Sequence, residues 1–328
     1  MNLWKSLAGL FLFSLAFNAC TAPVISSTPT IAVLPMATNT PPTSHHSFRI
    51  IGYATDAILV ENIPFERLTH INYAFLIPNA DGTFAPLTKP SKVHQLVEQG
   101  HAHGVKVLIS IGGWGWDAQF EEIAASPERR AVFIREALKV VDEYSFDGAD
   151  IDWEYPDPGQ SAKNYLELMS GLRVALPDKL LTTAVISYGD EIGLGIPSET
   201  FPLLDFVNAM TYDGPDHATM QQFQKGLDYW LGRGVPREKL VMGLPFYTRP
   251  GEVSYGRLAR DFPAASQSDT FNYNGQEEHY NGIPSVRQKT LLALDRASGI
   301  MFWTLEHDAS GDASLLTAIN QTVASYKP

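Results

Sequence analysis

The chain has a single cysteine, Cys20, among 328 residues. One thiol cannot close an internal disulfide, so the folded part is built without any. Basic residues are also scarce: 24 Lys and Arg face 36 Asp and Glu, a net charge of −12. With no basic patch on offer, nucleic acid is a poor partner and an uncharged substrate a compatible one. No histidine or cysteine cluster has metal-ligand spacing, so no metal or other cofactor is expected. His101 and His103, two apart at a helix end, read as a solvated turn. Nor does a G-x-G-x-x-G loop follow the first strand candidate, which weighs against an open, doubly wound sheet. The one long apolar run, S-L-A-G-L-F-L-F-S-L-A-F-N-A-C after Lys5, is too short to span a bilayer comfortably and has signal-peptide length.

Residues 1–19 therefore read as a signal peptide. Cys20, directly after Asn18-Ala19, resembles the lipidated cysteine of a bacterial lipobox, although Phe17 stands where that motif usually carries a small aliphatic residue. The expectation is a lipoprotein, with plain secretion as the alternative; either places the protein outside the cell or on its surface. Membrane contact would then run only through the N-terminal lipid. Within the 20–47 segment, the stretch after the cysteine is dominated by Thr, Ser, Pro and Ala, with almost no charge. It reads as an extended, disordered tether. The folded domain is expected over 48–328.

There, short apolar runs alternate with longer amphipathic ones. Strand candidates fall at 48–53, 69–76, 105–113, 147–155, 180–187, 206–213, 240–247 and 299–306. Helix-like segments fall at 90–102, 116–143, 161–175, 218–232, 285–297 and 312–325. Such alternation implies parallel pairing with helical crossovers. Eight strands in this length predict a closed (β/α)8 barrel. The 248–284 segment, rich in Ser, Asn, Gly and Tyr, is too short for a large inserted α+β domain.

The fourth strand candidate holds the unusual chemistry: F-D-G-A-D-I-D-W-E-Y-P at 146–156. Alternate residues of a strand share a face, which aligns Asp150, Asp152 and Glu154 against Ala149, Ile151 and Trp153. The apolar set suits the helical layer, leaving three carboxyls climbing the barrel interior toward the C-terminal rim, where barrel enzymes keep their chemistry. Carboxyls about 7 Å apart repel by roughly 2 kcal/mol at an effective dielectric near 20. That is between one and two pKa units, enough to keep the top residue protonated near neutral pH as a general acid requires. A ladder satisfied by neighbouring Arg or Lys is the alternative, but no strand candidate offers an inward arginine near the rim.

This stretch resembles the D-G-x-D-x-D-x-E signature of family 18 glycoside hydrolases, the chitinase family. Ser110-Ile111-Gly112-Gly113-Trp114 is similar to the family's S-x-G-G motif, Met210-Thr211-Tyr212-Asp213 to its M-x-Y-D motif, and Gly299-Ile300-Met301-Phe302-Trp303 to its last strand. The likeness covers essentially all of 48–328. It implies that Glu154 is the general acid and then base, and that Asp152 bonds either Glu154 or the substrate acetamide. Asp150 would hold the proton Asp152 gives up, beside Ser110 and Tyr53, and Tyr212 would donate to the acetamide carbonyl. Met210 and Asp213 would line the same sugar subsite. Substrate-assisted exceptions, this family among them, need no second catalytic carboxylate, because the sugar's own N-acetyl oxygen attacks.

Trp303, Tyr53, Phe75, Trp114 and Tyr247 fall near C-terminal strand ends and read as stacking platforms for sugar rings; Trp153 alternates outward into the core. Thr248 stands where the family often has glycine before the arginine, which puts a subsite role for Arg249 in doubt. The expectation is a chitinase with an open groove, cutting N-acetylglucosamine polymers internally. The alternatives are an endo-β-N-acetylglucosaminidase on glycans or peptidoglycan, and a non-catalytic chitin-binding lectin.

Overall fold

The computed structural model describes residues 48–327; the signal peptide, Cys20 and the whole tether lie outside the described residues. Eight parallel strands close into a barrel: β1 (Arg49–Ala54), β2 (His70–Leu76), β3 (Lys106–Gly112), β4 (Gly148–Asp152), β5 (Leu180–Ile186), β6 (Phe206–Met210), β7 (Leu240–Pro245) and, after the hairpin β8 (Thr270–Tyr273) and β9 (Gln276–His279), β10 (Gly299–Trp303). The order around the barrel is β1-β10-β7-β6-β5-β4-β3-β2. The helices are α1 (Pro90–Ala102), α2 (Asp117–Ala125), α3 (Pro127–Glu143), α4 (Gln160–Ala175), the single turn α5 (Asp190–Gly193), α6 (Met220–Gly232), α7 (Tyr255–Asp261), α8 (Ile283–Arg296) and α9 (Leu315–Ser325). None among the described residues is long and apolar enough to cross a membrane.

The expected helix at 116–143 is two helices. Pro127 has no N–H to donate and its ring disfavours helical geometry at Ser126, so the chain breaks there. Ser126 then caps α3 by accepting from the Arg129 N–H at 3.2 Å. The expected fourth strand is also shorter, ending at Asp152 rather than 155. Its partner β3 turns away at Gly112 (φ 113°) and Gly113 (φ 90°), so past the Gly112–Asp152 pair only the Gly113 N–H still reaches back, to the Asp152 carbonyl at 2.8 Å.

Outward-facing strand residues bury under the helices. Ala149 and Ile151 are fully buried, and Trp153 stacks on Phe120 at 5.2 Å while its indole N–H donates to Asp117 at 2.7 Å. Inside the barrel, Ile51, Phe206 and Val241 fill the lower lumen, and His70 meets the edge of Phe206 at 5.3 Å. The lower lumen is thus a largely apolar plug beneath the polar residues above it.

Between β7 and β10 the insertion is small, as expected: α7 and the hairpin β8–β9. The hairpin turns on Asn274-Gly275, both at positive φ, the geometry a two-residue turn of this kind demands. Its buried Glu278 accepts from the Thr248 hydroxyl at 2.6 Å and the Gly251 N–H at 2.8 Å, while Arg249 and His279 exchange backbone bonds at 3.0 and 2.8 Å. The insertion therefore holds the loop after β7 in place.

Candidate active site

The four acids of the 146–156 stretch separate by depth. Asp147 sits at the N-terminal end of the barrel, accepting from the Val107 N–H, Lys106 Nζ and His101 Nε2, each at 2.8 Å. His101 and His103 are exposed at the end of α1, as a solvated turn there requires; His101 reaches Asp147 from that position, and His103 stacks on Phe65 at 5.1 Å. Asp150, Asp152 and Glu154 rise along the lumen toward the mouth.

Asp150 is fully buried and accepts four hydrogen bonds. Tyr53 Oη and Ser110 Oγ reach Oδ2 at 2.8 and 2.9 Å; Thr182 Oγ1 and Asn208 Nδ2 reach Oδ1 at 2.5 and 3.1 Å. Burial pushes its carboxyl up, and these donors work against it. Tyr53 and Ser110 were legible as its neighbours. Thr182 and Asn208 were missed, although each faces the lumen on its strand's alternation.

Asp152, 3% exposed, stands above it with Oδ1 enclosed and without a hydrogen-bond partner among the described residues. Its carboxyl is held well above the ordinary range, first by burial and then by repulsion from Glu154 and Asp150. No hydrogen bond joins it to Glu154 among the described residues. Glu154 lies beyond the end of β4, at the cavity, and burial raises it to about 7, with the Asp213 charge adding to the rise and the Tyr155 hydroxyl opposing it. A carboxylic acid poised there keeps its proton near neutral pH and still releases it during reaction.

These groups open into a cavity of about 740 Å³ lined by Tyr53, Phe75, Trp114, Asp152, Glu154, Tyr155, Met210, Tyr212, Asp213, Tyr247, Arg249, Glu252, Trp303 and His307. Asp150 and Ser110 lie beneath it. Trp303 stacks on Phe75 at 5.4 Å with an interplanar angle of 20°, an apolar floor suited to the C–H face of a sugar ring. Gly113 permits that stack, since a Cβ there would fall 2.7 Å from the Phe75 ring. Trp114 projects from the rim at 79% exposure, whereas Tyr53 is 2% exposed and spends its hydroxyl on Asp150, leaving little of its ring for a ligand. The part-buried Tyr212 hydroxyl touches only Met301 Sδ among the described residues, at 3.9 Å, and desolvation raises its pKa well above the usual, so it stays a donor without a strong acceptor.

Asp213 is clamped. Burial would raise its pKa, but the His217, Arg249 and Tyr247 contacts outweigh this and hold it below the carboxylate range. Arg249 Nε and Tyr247 Oη both donate to Asp213 Oδ1 at 2.7 Å. Arg249, whose subsite role the sequence left in doubt, lines the cavity. Thr248, the departure from the family pattern, is matched by the buried Glu278 that its hydroxyl engages. Tyr155, Glu252 and His307 went unread; each comes from a loop, where side-chain direction has no period. No set of three or more His, Cys, Asp or Glu placed to hold a metal occurs among the described residues.

A family model described as Glycosyl hydrolases family 18 matches residues 49–309. A Caenorhabditis elegans protein named "Probable endochitinase" is 32% identical over 223 residues, covering 55% of this chain and 36% of the relative. "Endochitinase 1" of Metarhizium anisopliae is 24% identical, covering 78% of this chain and 79% of the relative. The crystal structure of a chitinase from Bacteroides thetaiotaomicron superposes with a TM-score of 0.76 at 27% identity, covering 84% of this chain and 96% of that one. This chain thus spans about a third of the nematode relative's length and nearly all of the bacterial structure.

Proposed function

The chain belongs to glycosyl hydrolases family 18, and from that premise we propose that it is a chitinase. It hydrolyses β-1,4 links between N-acetylglucosamine units with retention, the substrate's own amide making the attack. The observation that carries this reading is the vertical row in the lumen. A four-bonded Asp150 supports Asp152, Asp152 lines the cavity with its Oδ1 enclosed and unpartnered, and Glu154 at the mouth holds its proton to about pH 7.

In the first step the acetamide oxygen of the sugar over Trp303 bonds to its own C1, and the C1–oxygen bond to the leaving sugar breaks. Glu154 gives its proton to that leaving oxygen. Tyr212 donates to the acetamide oxygen and Asp152 accepts from the amide N–H, whose positive charge grows as the oxazolinium ring closes. In the second step a water attacks C1, the ring opens, and the Glu154 carboxylate takes the water's proton, which restores the acid. No opposing carboxylate is required.

Secretion with a lipid on Cys20, an open cleft and internal cleavage remain part of the proposal on the sequence features given above. The test is product analysis on chitin oligosaccharides, glycoprotein glycans and peptidoglycan side by side. Release from the first supports the reading. Release only from glycans or peptidoglycan replaces it with an endo-β-N-acetylglucosaminidase, and binding without release replaces it with a lectin.

A further inference from the structure

The cavity wall beside β7 and β10 carries five polar side chains, and four of them are tied to one another. Tyr247 and Arg249 donate to Asp213, and a second Arg249 nitrogen engages Glu252. His307 is the exception. Its Nδ1 is enclosed and has no hydrogen-bond partner among the described residues, yet the residue lines the same cavity as Glu154. Nε2 makes no hydrogen bond among the described residues either and is not enclosed, so it is the ring nitrogen that a ligand in this sugar-sized cavity can meet.

The ring is also pre-positioned. It ends the short 3-10 turn Leu305–His307 directly after β10. On one side of it Glu306 accepts from the Thr55 N–H at 3.2 Å and from the Thr55 hydroxyl. On the other, Asp308 accepts from the Ala309 and Leu315 N–H groups at 2.8 Å. The imidazole packs against Tyr247 at 6.3 Å and 64°. Burial lowers its pKa, which favours the neutral ring, with one N–H and one bare nitrogen for a hydroxyl or amide to meet. Such a fixed group binds with little ordering cost. In the strand order β7 lies diametrically across from β3, so His307 and Tyr247 face the sugar unit on the far side of the mouth from Trp114.

We propose that His307 is a specificity-determining residue: through Nε2 it hydrogen-bonds a hydroxyl or acetamide of the sugar unit lying against Tyr247, opposite Trp114, and so favours substrates long enough to fill that position. The inference rests on the reading of the cavity as one that hydrolyses N-acetylglucosamine oligomers.

The test compares the full chain carrying His307→Leu, similar in volume but without ring nitrogens, with His307→Gln, whose amide nitrogen occupies roughly the Nε2 position. kcat and KM are measured on N-acetylglucosamine oligomers of two to six units. His307→Leu is expected to lower the ratio of kcat/KM for the six-unit substrate to that for the shortest one cleaved, by about tenfold and mainly through KM; His307→Gln recovers most of it. Equal losses at every length, no loss, or equal losses in both variants overturn the inference while leaving the wild-type activity in place. A wild type inactive on every oligomer overturns the underlying reading and this inference together. Should His307→Leu not fold, His307→Asn takes its place, since the asparagine amide reaches only the Nδ1 position and is expected to lose what glutamine keeps.

Discussion

Replacing Asp152 by asparagine conserves shape and removes one charge from the row. Residues two apart near a strand end place their carboxyls about 7 Å apart. Two full charges there repel by about 2 kcal/mol at an effective dielectric near 20, which is between one and two pKa units. In the wild type the last proton of the pair leaves against that repulsion, and the rate falls on the alkaline side once Glu154 has lost it. In Asp152→Asn the repulsion is gone, so Glu154 ionises more easily and the alkaline limb of kcat moves down by between one and two pH units. The acidic limb, set by charging the partner, flattens. The assay is a kcat–pH profile on a soluble N-acetylglucosamine oligomer at low and high salt. Asp152 is 3% exposed, so the displacement should survive high salt, which screens only exposed pairs. An alkaline limb that stays where it was, or moves upward, refutes the electrostatic account of the row.

Glu154→Gln should retain oligosaccharide binding and lose roughly 10²–10⁴ in kcat; titration calorimetry beside turnover assays reads both, and a wild-type rate rules Glu154 out as the acid. Gly112→Ala forces a side chain onto φ 113° and sets its Cβ 2.3 Å from the Asp152 carbonyl oxygen. The strained backbone alone should cost about 1–3 kcal/mol, visible as a lower denaturation midpoint, and an unchanged midpoint contradicts the tight β3–β4 exit. Trp153→Ala should destabilise by about 3–5 kcal/mol, since its ring is 1% exposed between Phe120 and Tyr165; a loss below about 1 kcal/mol in urea unfolding shows that the helical side has collapsed around the gap.

Much of the site was legible because the barrel enforces a period of two. Once β4 was drawn, Asp150 and Asp152 had to share a face and Trp153 had to leave it. The same period on β5 and β6 pointed Thr182 and Asn208 at Asp150, but uncharged residues on ordinary strands raise no alarm in a sequence. Glu154 was assigned to the strand because period alone does not reveal where a ladder ends; that depends on the neighbouring Gly112, 42 residues earlier. The partner of Thr248 was out of reach for a similar reason. Glu278 meets it only through a hairpin whose Asn274-Gly275 turn was a readable signal, whereas the docking of that hairpin is a tertiary fact. His307 and Glu252 sit on loops, where exposure and direction follow from packing and leave no pattern in the chain.

The apolar plug formed by Ile51, Phe206 and Val241 lies below the acid row, while Asp150 has no exposed surface. The cavity above the row is the mouth that the sugar also uses. An oligomer seated in that mouth narrows the row's route to bulk water, so the pH limbs of kcat, set in the occupied protein, are expected to lie apart from those of kcat/KM, set in the empty one.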